Sequence, residues 1–114
     1  MSPTGATRID GRALAANVRE AVAARVAAHA GTVRLDAVLI GSDRSAAVYA
    51  ESQRRKCAEV GIEYVLHCLP DGVGFDEIAG RVLLLNTAVE VNAIMVHLPL
   101  PEGVDAERIQ ALID

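Results

Sequence analysis

The chain has 114 residues, of which 52% are hydrophobic and 23% are charged, and its formal net charge is −4. This length and apolar content fit one domain with a real core and exclude a disordered chain, and no apolar run reaches the roughly 20 residues that span a bilayer. The negative charge, a largest basic cluster of only three residues (54–56) and an aromatic content of 3% argue against nucleic acid as a partner.

The first half of the chain predicts helix, strand and helix. Asp10 is a candidate N-cap for a helix whose apolar residues recur every four positions from Leu14 to Val26. Residues 33–40 (VRLDAVLI) become continuously apolar, which is typical of a buried strand. Ser45 is expected to cap a second helix that runs to about Val60.

The second half continues the alternation. It predicts strands over 64–69 and 91–98 and helices over 76–85 and 106–113. The three strands begin about 30 residues apart with a helix between each pair, which is the length of a parallel βαβ unit. We therefore predict an α/β fold, with a small parallel sheet of at least three strands between helices in a three-layer α/β/α arrangement. Ligands of such sheets bind at the carboxyl ends of the strands.

Four polar residues, three on the second helix and one at the end of the third strand, are candidates for chemistry. Tyr49 and Gln53 lie one turn apart on the second helix, where a ring and an amide can hold a flat ligand; the alternative is a half-buried tyrosine beside a solvated glutamine. Lys56 is the only lysine, and it is either a base or nucleophile or a solvated surface residue. His97 ends the third strand. It is either an acid–base group or a structural histidine whose hydrogen bonds are satisfied within the fold.

The sequence lacks the usual binding motifs of several classes of cofactor. The chain has no Walker loop and no GxGxxG, so no dinucleotide site is expected within it. Cys57, Cys68 and the three histidines show no zinc-ligand spacing, so no metal is expected. The start of the chain lacks the features of a signal peptide, which predicts a cytoplasmic protein.

Four segments together carry a family resemblance. They are 9–15 (IDGRALA), 39–43 (LIGSD) with Tyr49 eight residues after Gly41, 55–62 (RKCAEVGI), and 85–86 (LN) followed by 94–101 (IMVHLPLP). At these spacings the chain resembles the N-terminal, substrate-binding domain of the bifunctional methylenetetrahydrofolate dehydrogenase/cyclohydrolase family. The resemblance divides the chain into a tail, residues 1–8, and a catalytic domain, residues 9–114.

The resemblance implies a role in folate one-carbon metabolism. The family oxidises methylene-tetrahydrofolate with NADP or NAD and then hydrolyses the methenyl bridge, in a cleft between two α/β domains. It implies that the NAD(P)-binding domain is absent from this chain, so that the cofactor would be held by a C-terminal domain or by a separate subunit. Tetrahydrofolate derivatives are the expected ligands, and a homodimer is an expected assembly.

Residue by residue, the resemblance assigns the tyrosine that packs on the folate ring to Tyr49, and the hydrophobic wall of the cleft to Leu98 and Pro99. The catalytic positions, which the family fills with a lysine and a supporting glutamine, hold Gln53 and His97. Glutamine has no titratable proton, so the cyclohydrolase step is expected to be impaired. Hydride transfer depends mainly on alignment and could survive.

Three interpretations remain open. The chain could be the substrate-binding half of an enzyme, or an unrelated small α/β domain, which the matching spacings argue against. It could also be a non-catalytic folate binder or a decayed paralogue, because Ala46 replaces a family serine as well. Within the enzyme interpretation, His97 could take over the proton shuttle. Lys56 lies about one helical turn beyond the family position and is less well placed.

Overall fold

A computed structural model describes residues 5–114 as helices and strands that alternate around one parallel sheet. The elements in chain order are α1 (Gly11–Ala28), β1 (Arg34–Ile40), α2 (Arg44–Val60), β2 (Glu63–Leu69), α3 (Phe75–Asn86), β3 (Ala93–Val96) and α4 (Ala106–Gln110). The strand order is β2–β1–β3, and both pairings are parallel. The predicted α/β class with a three-stranded parallel sheet is confirmed. Residues 1–4 of the predicted tail lie outside the described residues, and residues 5–10 form neither helix nor strand.

The central strand β1 is buried from residue 36 to residue 40 and divides the core into two layers. On one face, Val38 and Ile40 join a cluster with Ile78 and Val82 of α3 and Ile109 of α4. On the other face lies α2, whose buried residues are all small: Ala46, Ala50 and Cys57. Small side chains let α2 approach the sheet closely, which brings its polar residues next to the strand ends.

Some predicted boundaries were wrong, for local reasons. The cap of α2 is Asp43 rather than Ser45, because Asp43 Oδ1 accepts a hydrogen bond from the amide of Ala46 at 2.9 Å. The strand predicted over 91–98 is only Ala93–Val96. The amide of His97 still donates to the carbonyl of Val38 at 2.9 Å. Pro99 has no amide proton, so the ladder cannot continue past it.

Helix α1 forms an outer layer that packs mainly on α2. The predicted apolar stripe is present, but none of its residues is buried, and Leu14 and Val18 are 56% and 61% exposed. The predicted cap is confirmed, since Asp10 accepts a hydrogen bond from the amide of Ala13 at 3.1 Å. No helix within residues 5–114 is both long enough and apolar enough to cross a membrane.

A buried ionic network lies on the α3 face of the sheet. Asp36 is fully buried and accepts hydrogen bonds from Arg34 Nε and Nη2 at 2.8 and 2.9 Å, and its Oδ2 lies 2.7 Å from His67 Nε2. Arg81 Nη1 lies 3.2 Å from His67 Nδ1. Because a carboxylate can only accept, His67 Nε2 donates its proton to Asp36. Burial alone would raise the pKa of Asp36, but the hydrogen bonds from Arg34 and His67 outweigh it and lower that pKa.

Candidate active site at the carboxyl edge of the sheet

A cleft of about 700 Å³ opens at the carboxyl edge of the sheet, between the start of α2 and the end of β3. Helix α2 begins four residues after the last residue of β1, so its first turns overlie the strand ends. The structure brings four of the five predicted site residues to the lining of this cleft: Tyr49, His97, Leu98 and Pro99. Gln53 lies one turn further along α2 and lines an adjoining groove, which Tyr49 also lines.

Two aromatic rings meet inside the cleft. The Tyr49 and His97 rings are 5.8 Å apart between centroids and inclined at 77°, which is an edge-to-face contact. His97 is only 3% exposed, whereas Tyr49 is 58% exposed. The contact therefore orients the tyrosine ring and leaves much of its surface available to a ligand.

His97 forms a hydrogen-bond contact with Tyr64, a residue that the sequence analysis did not identify. Tyr64 is on β2, and its hydroxyl lies 3.1 Å from Nε2 of His97, which directly follows β3. The central strand β1 lies between β2 and β3. Burial raises the pKa of Tyr64 to about 12 and lowers the pKa of His97. At neutral pH both groups are neutral, so Tyr64 keeps its proton and can donate it to Nε2. No local pattern could have shown this pair, because its members are 33 residues apart, one on β2 and the other directly after β3.

Gln53 is packed against the sheet rather than solvated. Its amide nitrogen lies 2.9 Å from the sulfur of Met95, and its Oε1 is buried with no hydrogen-bond partner among residues 5–114. An amide in this place can orient a neighbouring group but cannot exchange a proton near neutral pH. Lys56 does not join it at the cleft: its side chain is exposed and lines the groove between α1 and α2.

The turn between β1 and α2 does not fit a dinucleotide. Gly41 has φ +79°, and Ser42 Oγ donates to Asp71 Oδ2 at 3.1 Å. Asp43 caps α2 with its own carboxylate. The carboxylates of Asp43 and Asp71 thus lie near the N-terminus of α2, whose backbone amides would otherwise attract a phosphate. Within residues 5–114 there is also no group of three His, Cys, Asp or Glu side chains that could hold a metal ion.

Comparison with known proteins decides the family. The family model for the tetrahydrofolate dehydrogenase/cyclohydrolase catalytic domain matches residues 9–114. The chain belongs to this family. Two curated relatives, bifunctional protein FolD 1 of Rubrobacter xylanophilus and bifunctional protein FolD of Hyphomonas neptunium, are each 41% identical to it, over 93% and 90% of this chain. The matches cover only 38% and 35% of those relatives, so the chain spans little more than a third of their length.

Solved structures of the family share the fold. The crystal structure of the bifunctional FolD methylenetetrahydrofolate dehydrogenase/cyclohydrolase from Campylobacter jejuni matches with a TM-score of 0.85 and 26% identity, over 92% of this chain and 38% of that one. The FolD enzyme of Trypanosoma brucei, solved with NADP cofactor and an inhibitor, gives 0.82 and 26% identity, over 96% and 38%. The family resemblance inferred from the sequence motifs is confirmed.

Proposed function

We propose that this chain is the tetrahydrofolate-binding half of a methylenetetrahydrofolate dehydrogenase, which oxidises methylene-tetrahydrofolate to methenyl-tetrahydrofolate. The observation that carries the proposal is the cleft of a family catalytic domain in which an exposed tyrosine ring, Tyr49, faces an apolar wall that includes Leu98 and Pro99. NADP or NAD would accept the hydride. Because the β1–α2 turn does not fit a dinucleotide, the proposal assigns the cofactor to a further domain or to another subunit.

Each side chain in the cleft has a defined task in this proposal. Tyr49 packs on the flat aminobenzoyl ring of the substrate, and Leu98 and Pro99 exclude water from the opposite side. His97 fixes the plane of Tyr49 through their edge-to-face contact. Hydride transfer requires mainly that donor and acceptor carbons be held close and aligned, so none of these residues has to exchange a proton.

The second step of the family reaction is proposed to be impaired. Hydrolysis of the methenyl bridge moves protons, and a positioned acid or base contributes about 10²- to 10⁴-fold to such a step. Gln53 has no proton to give, and His97 is buried, with a lowered pKa and with Nε2 beside the Tyr64 hydroxyl. The catalytic positions Gln53 and His97 therefore support ligand orientation better than proton transfer.

Parallel assays of the full protein test both parts of the proposal. We expect oxidation of methylene-tetrahydrofolate with NADP or NAD, and little hydrolysis of methenyl-tetrahydrofolate. The double variant Gln53→Lys/His97→Gln installs the family pair and should raise hydrolysis at least about 100-fold. Arg55→Lys, which adds a lysine at an exposed position of the same helix, is the matched control and should not raise it. Wild-type hydrolysis as fast as oxidation would contradict the proposed impairment.

A second candidate function is a folate binder without catalysis, or a decayed paralogue. It is favoured by the joint presence of Ala46, Gln53 and His97 at polar positions of the family centre, and by the unpartnered Oε1 of Gln53. Calorimetry with tetrahydrofolate separates the candidates. Binding without turnover in either assay would support the binder, and absence of both binding and turnover would support decay.

We also propose how the chain assembles and where in the cell it acts. We expect the chain to work together with a nucleotide-binding domain or subunit, in a homodimer, in the cytoplasm. The exposed apolar residues Leu83, Leu84 and Val89 are consistent with a covered surface at the end of α3. Sedimentation that shows a monomer at micromolar concentration would contradict the homodimer.

A further inference from the structure

We propose that Tyr64 is a positioning residue of the candidate active site and acts through His97. Its hydroxyl holds the imidazole of His97 in one orientation and one tautomer, with the proton on Nδ1 and directed into the cleft. This inference rests on the proposed function, because the ligand that meets this proton is the folate whose ring packs on Tyr49. It gives a binding task to β2, a strand that lines no part of the cleft.

The Tyr64 side chain reaches the site from the far edge of the sheet. Tyr64 pairs with Leu35 near the start of β1, whereas the amide of His97 donates to the carbonyl of Val38 near its end. The phenol therefore crosses β1 diagonally beneath α2. Val38 faces α3, so the preceding residue, Ala37, faces α2 on this path, because side chains alternate along a strand. The single methyl group of Ala37 leaves room for the ring.

The hydrogen bond decides which nitrogen of His97 carries the proton. Burial raises the pKa of Tyr64 to about 12 and lowers the pKa of His97, so at neutral pH the phenol is protonated and the imidazole is neutral. The Tyr64 hydroxyl has no other partner within residues 5–114. If it accepted a proton from Nε2, its own proton would lack an acceptor, whereas donation to Nε2 satisfies both groups. The imidazole proton is therefore on Nδ1.

Nδ1 of His97 faces the cleft. Among the side chains of residues 5–114 that are not exposed, only Gln53 has a fully buried nitrogen or oxygen without a hydrogen-bond partner. Nδ1 makes no hydrogen bond with these residues either, so it must keep some accessible surface. The space beside this otherwise buried ring is the cleft that His97 lines. The ring thus turns one nitrogen to Tyr64 and offers the other to a ligand.

A neutral donor at this place suits the oxidation. The one-carbon bridge of the substrate is bonded to the nitrogen of the aminobenzoyl ring, so the reacting carbon lies next to the ring that packs on Tyr49. Loss of a hydride takes an electron pair from this carbon and leaves a positive charge on the ligand. An imidazolium beside it would repel that charge. The neutral Nδ1–H of His97 instead donates to a carbonyl oxygen of the folate without such repulsion.

Nuclear magnetic resonance of the ¹⁵N-labelled full protein tests the tautomer without any ligand. Long-range proton–nitrogen correlation spectra separate protonated from unprotonated ring nitrogens, and His97→Gln assigns the signals among the three histidines. At neutral pH we expect His97 of the wild type to carry its proton on Nδ1, and Tyr64→Phe to show both tautomers. Ile78→Val, which removes one methylene group from the core on the opposite face of the sheet, is the matched control and should keep the wild-type pattern.

Kinetics of methylene-tetrahydrofolate oxidation by the full protein test the effect on the ligand. The loss of one neutral hydrogen bond corresponds to about two- to tenfold in kcat/KM. We expect Tyr64→Phe to show this loss mainly as a higher KM, because the bond to the carbonyl oxygen exists before and during hydride transfer. Ile78→Val should leave both constants unchanged.

The outcomes separate this inference from the proposed function. A wild-type His97 with its proton on Nε2 would overturn the inference and leave the proposed function intact. A Tyr64→Phe variant that keeps the Nδ1 tautomer alone, or keeps kcat/KM, would do the same. Absence of oxidation by the wild-type protein would overturn the proposed function, and with it the task assigned to the Nδ1 proton. The wild-type spectrum needs no variant, so a poorly folded variant cannot obscure that result.

Discussion

Replacement of Asp36 by alanine should be among the most destabilising single changes in this chain. Asp36 is fully buried, and Arg34 and His67 both direct hydrogen bonds at its carboxylate. Loss of one partner of a buried ion pair costs about 3 to 5 kcal/mol, because the other charge is left without compensation. The Arg34 side chain is 21% exposed and can turn toward water, so we expect the lower end, about 3 kcal/mol. For a domain of this size that corresponds to a fall in Tm of about 12 °C.

Asparagine should rescue little of this loss. Its amide nitrogen would face donors, since Arg34 and the Nε2 proton of His67 both point at the carboxylate. Urea and thermal unfolding of the chain at pH 7, followed by circular dichroism, measure the effect. Glu59→Ala, which removes an exposed carboxylate from α2, is the control and should change the free energy of unfolding by less than about 0.5 kcal/mol.

The ion pair between Asp36 and Arg34 also makes the stability of the chain depend on pH. The pKa of Asp36 is lower in the folded than in the unfolded chain, so its stabilisation is complete above the unfolded value of about 3.9 and is lost as pH falls through the folded value. The difference between wild type and Asp36→Ala should therefore shrink below about pH 4. A loss of under 1 kcal/mol at pH 7, or a difference that does not change in acid, would refute this account of the network.

Three further substitutions test other parts of the structure. Tyr64→Phe removes the hydroxyl beside the buried His97 and should cost about 1 kcal/mol in urea unfolding at pH 7. Because the folded pKa of Tyr64 is raised to about 12, its contribution should be complete below pH 10 and disappear between pH 10 and 12; an alkaline unfolding midpoint equal in both proteins would contradict this. Gly41 has φ +79°, and Gly41→Ala places a Cβ against the carboxylate of Asp71, so it should lower the free energy of unfolding by about 1 to 2 kcal/mol. The double variant with Asp71→Ala should relieve the clash but not the backbone strain. Ile78→Ala empties a fully buried position and should cost about 2 to 5 kcal/mol in calorimetric unfolding, against about 1 kcal/mol for Ile78→Val; equal losses would show that the site collapses around the cavity.

Most of the fold could be predicted from local patterns. The three strands and four helices were all expected. Each strand is a short apolar run, α1 and α3 have apolar residues at helical spacing, and a capping residue indicated the start of α2. The errors lie at element ends, where single contacts decide. Asp43 rather than Ser45 caps α2 because its carboxylate reaches the amide of Ala46. Strand β3 stops early because its pairing with β1 ends before Pro99.

The positions of the candidate site residues in the fold could be predicted, but the contacts between them could not. Tyr49 and His97 were expected near the carboxyl ends of the strands, and their rings do meet there. The contacts of His97 with Tyr64 and of Gln53 with Met95 join residues 33 and 42 positions apart, and no local spacing encodes such pairs. The groove was not predicted either, because it depends on how α1 and α2 fit against each other rather than on either helix alone.

The lack of any buried residue in α1 has a consequence for the local stability of the chain. The helix is anchored mainly through α2, so it can open while the sheet, α3 and α4 stay folded, and its amides should exchange with solvent well before those of β1. Half of the groove between α1 and α2 is therefore made by a helix that contributes no buried residue to the core. Any ligand that entered the groove would also have to hold α1 in place, so the ordering of that helix would offset part of its binding free energy. The same coupling means that such a ligand would slow the hydrogen exchange of α1 more than that of any core strand.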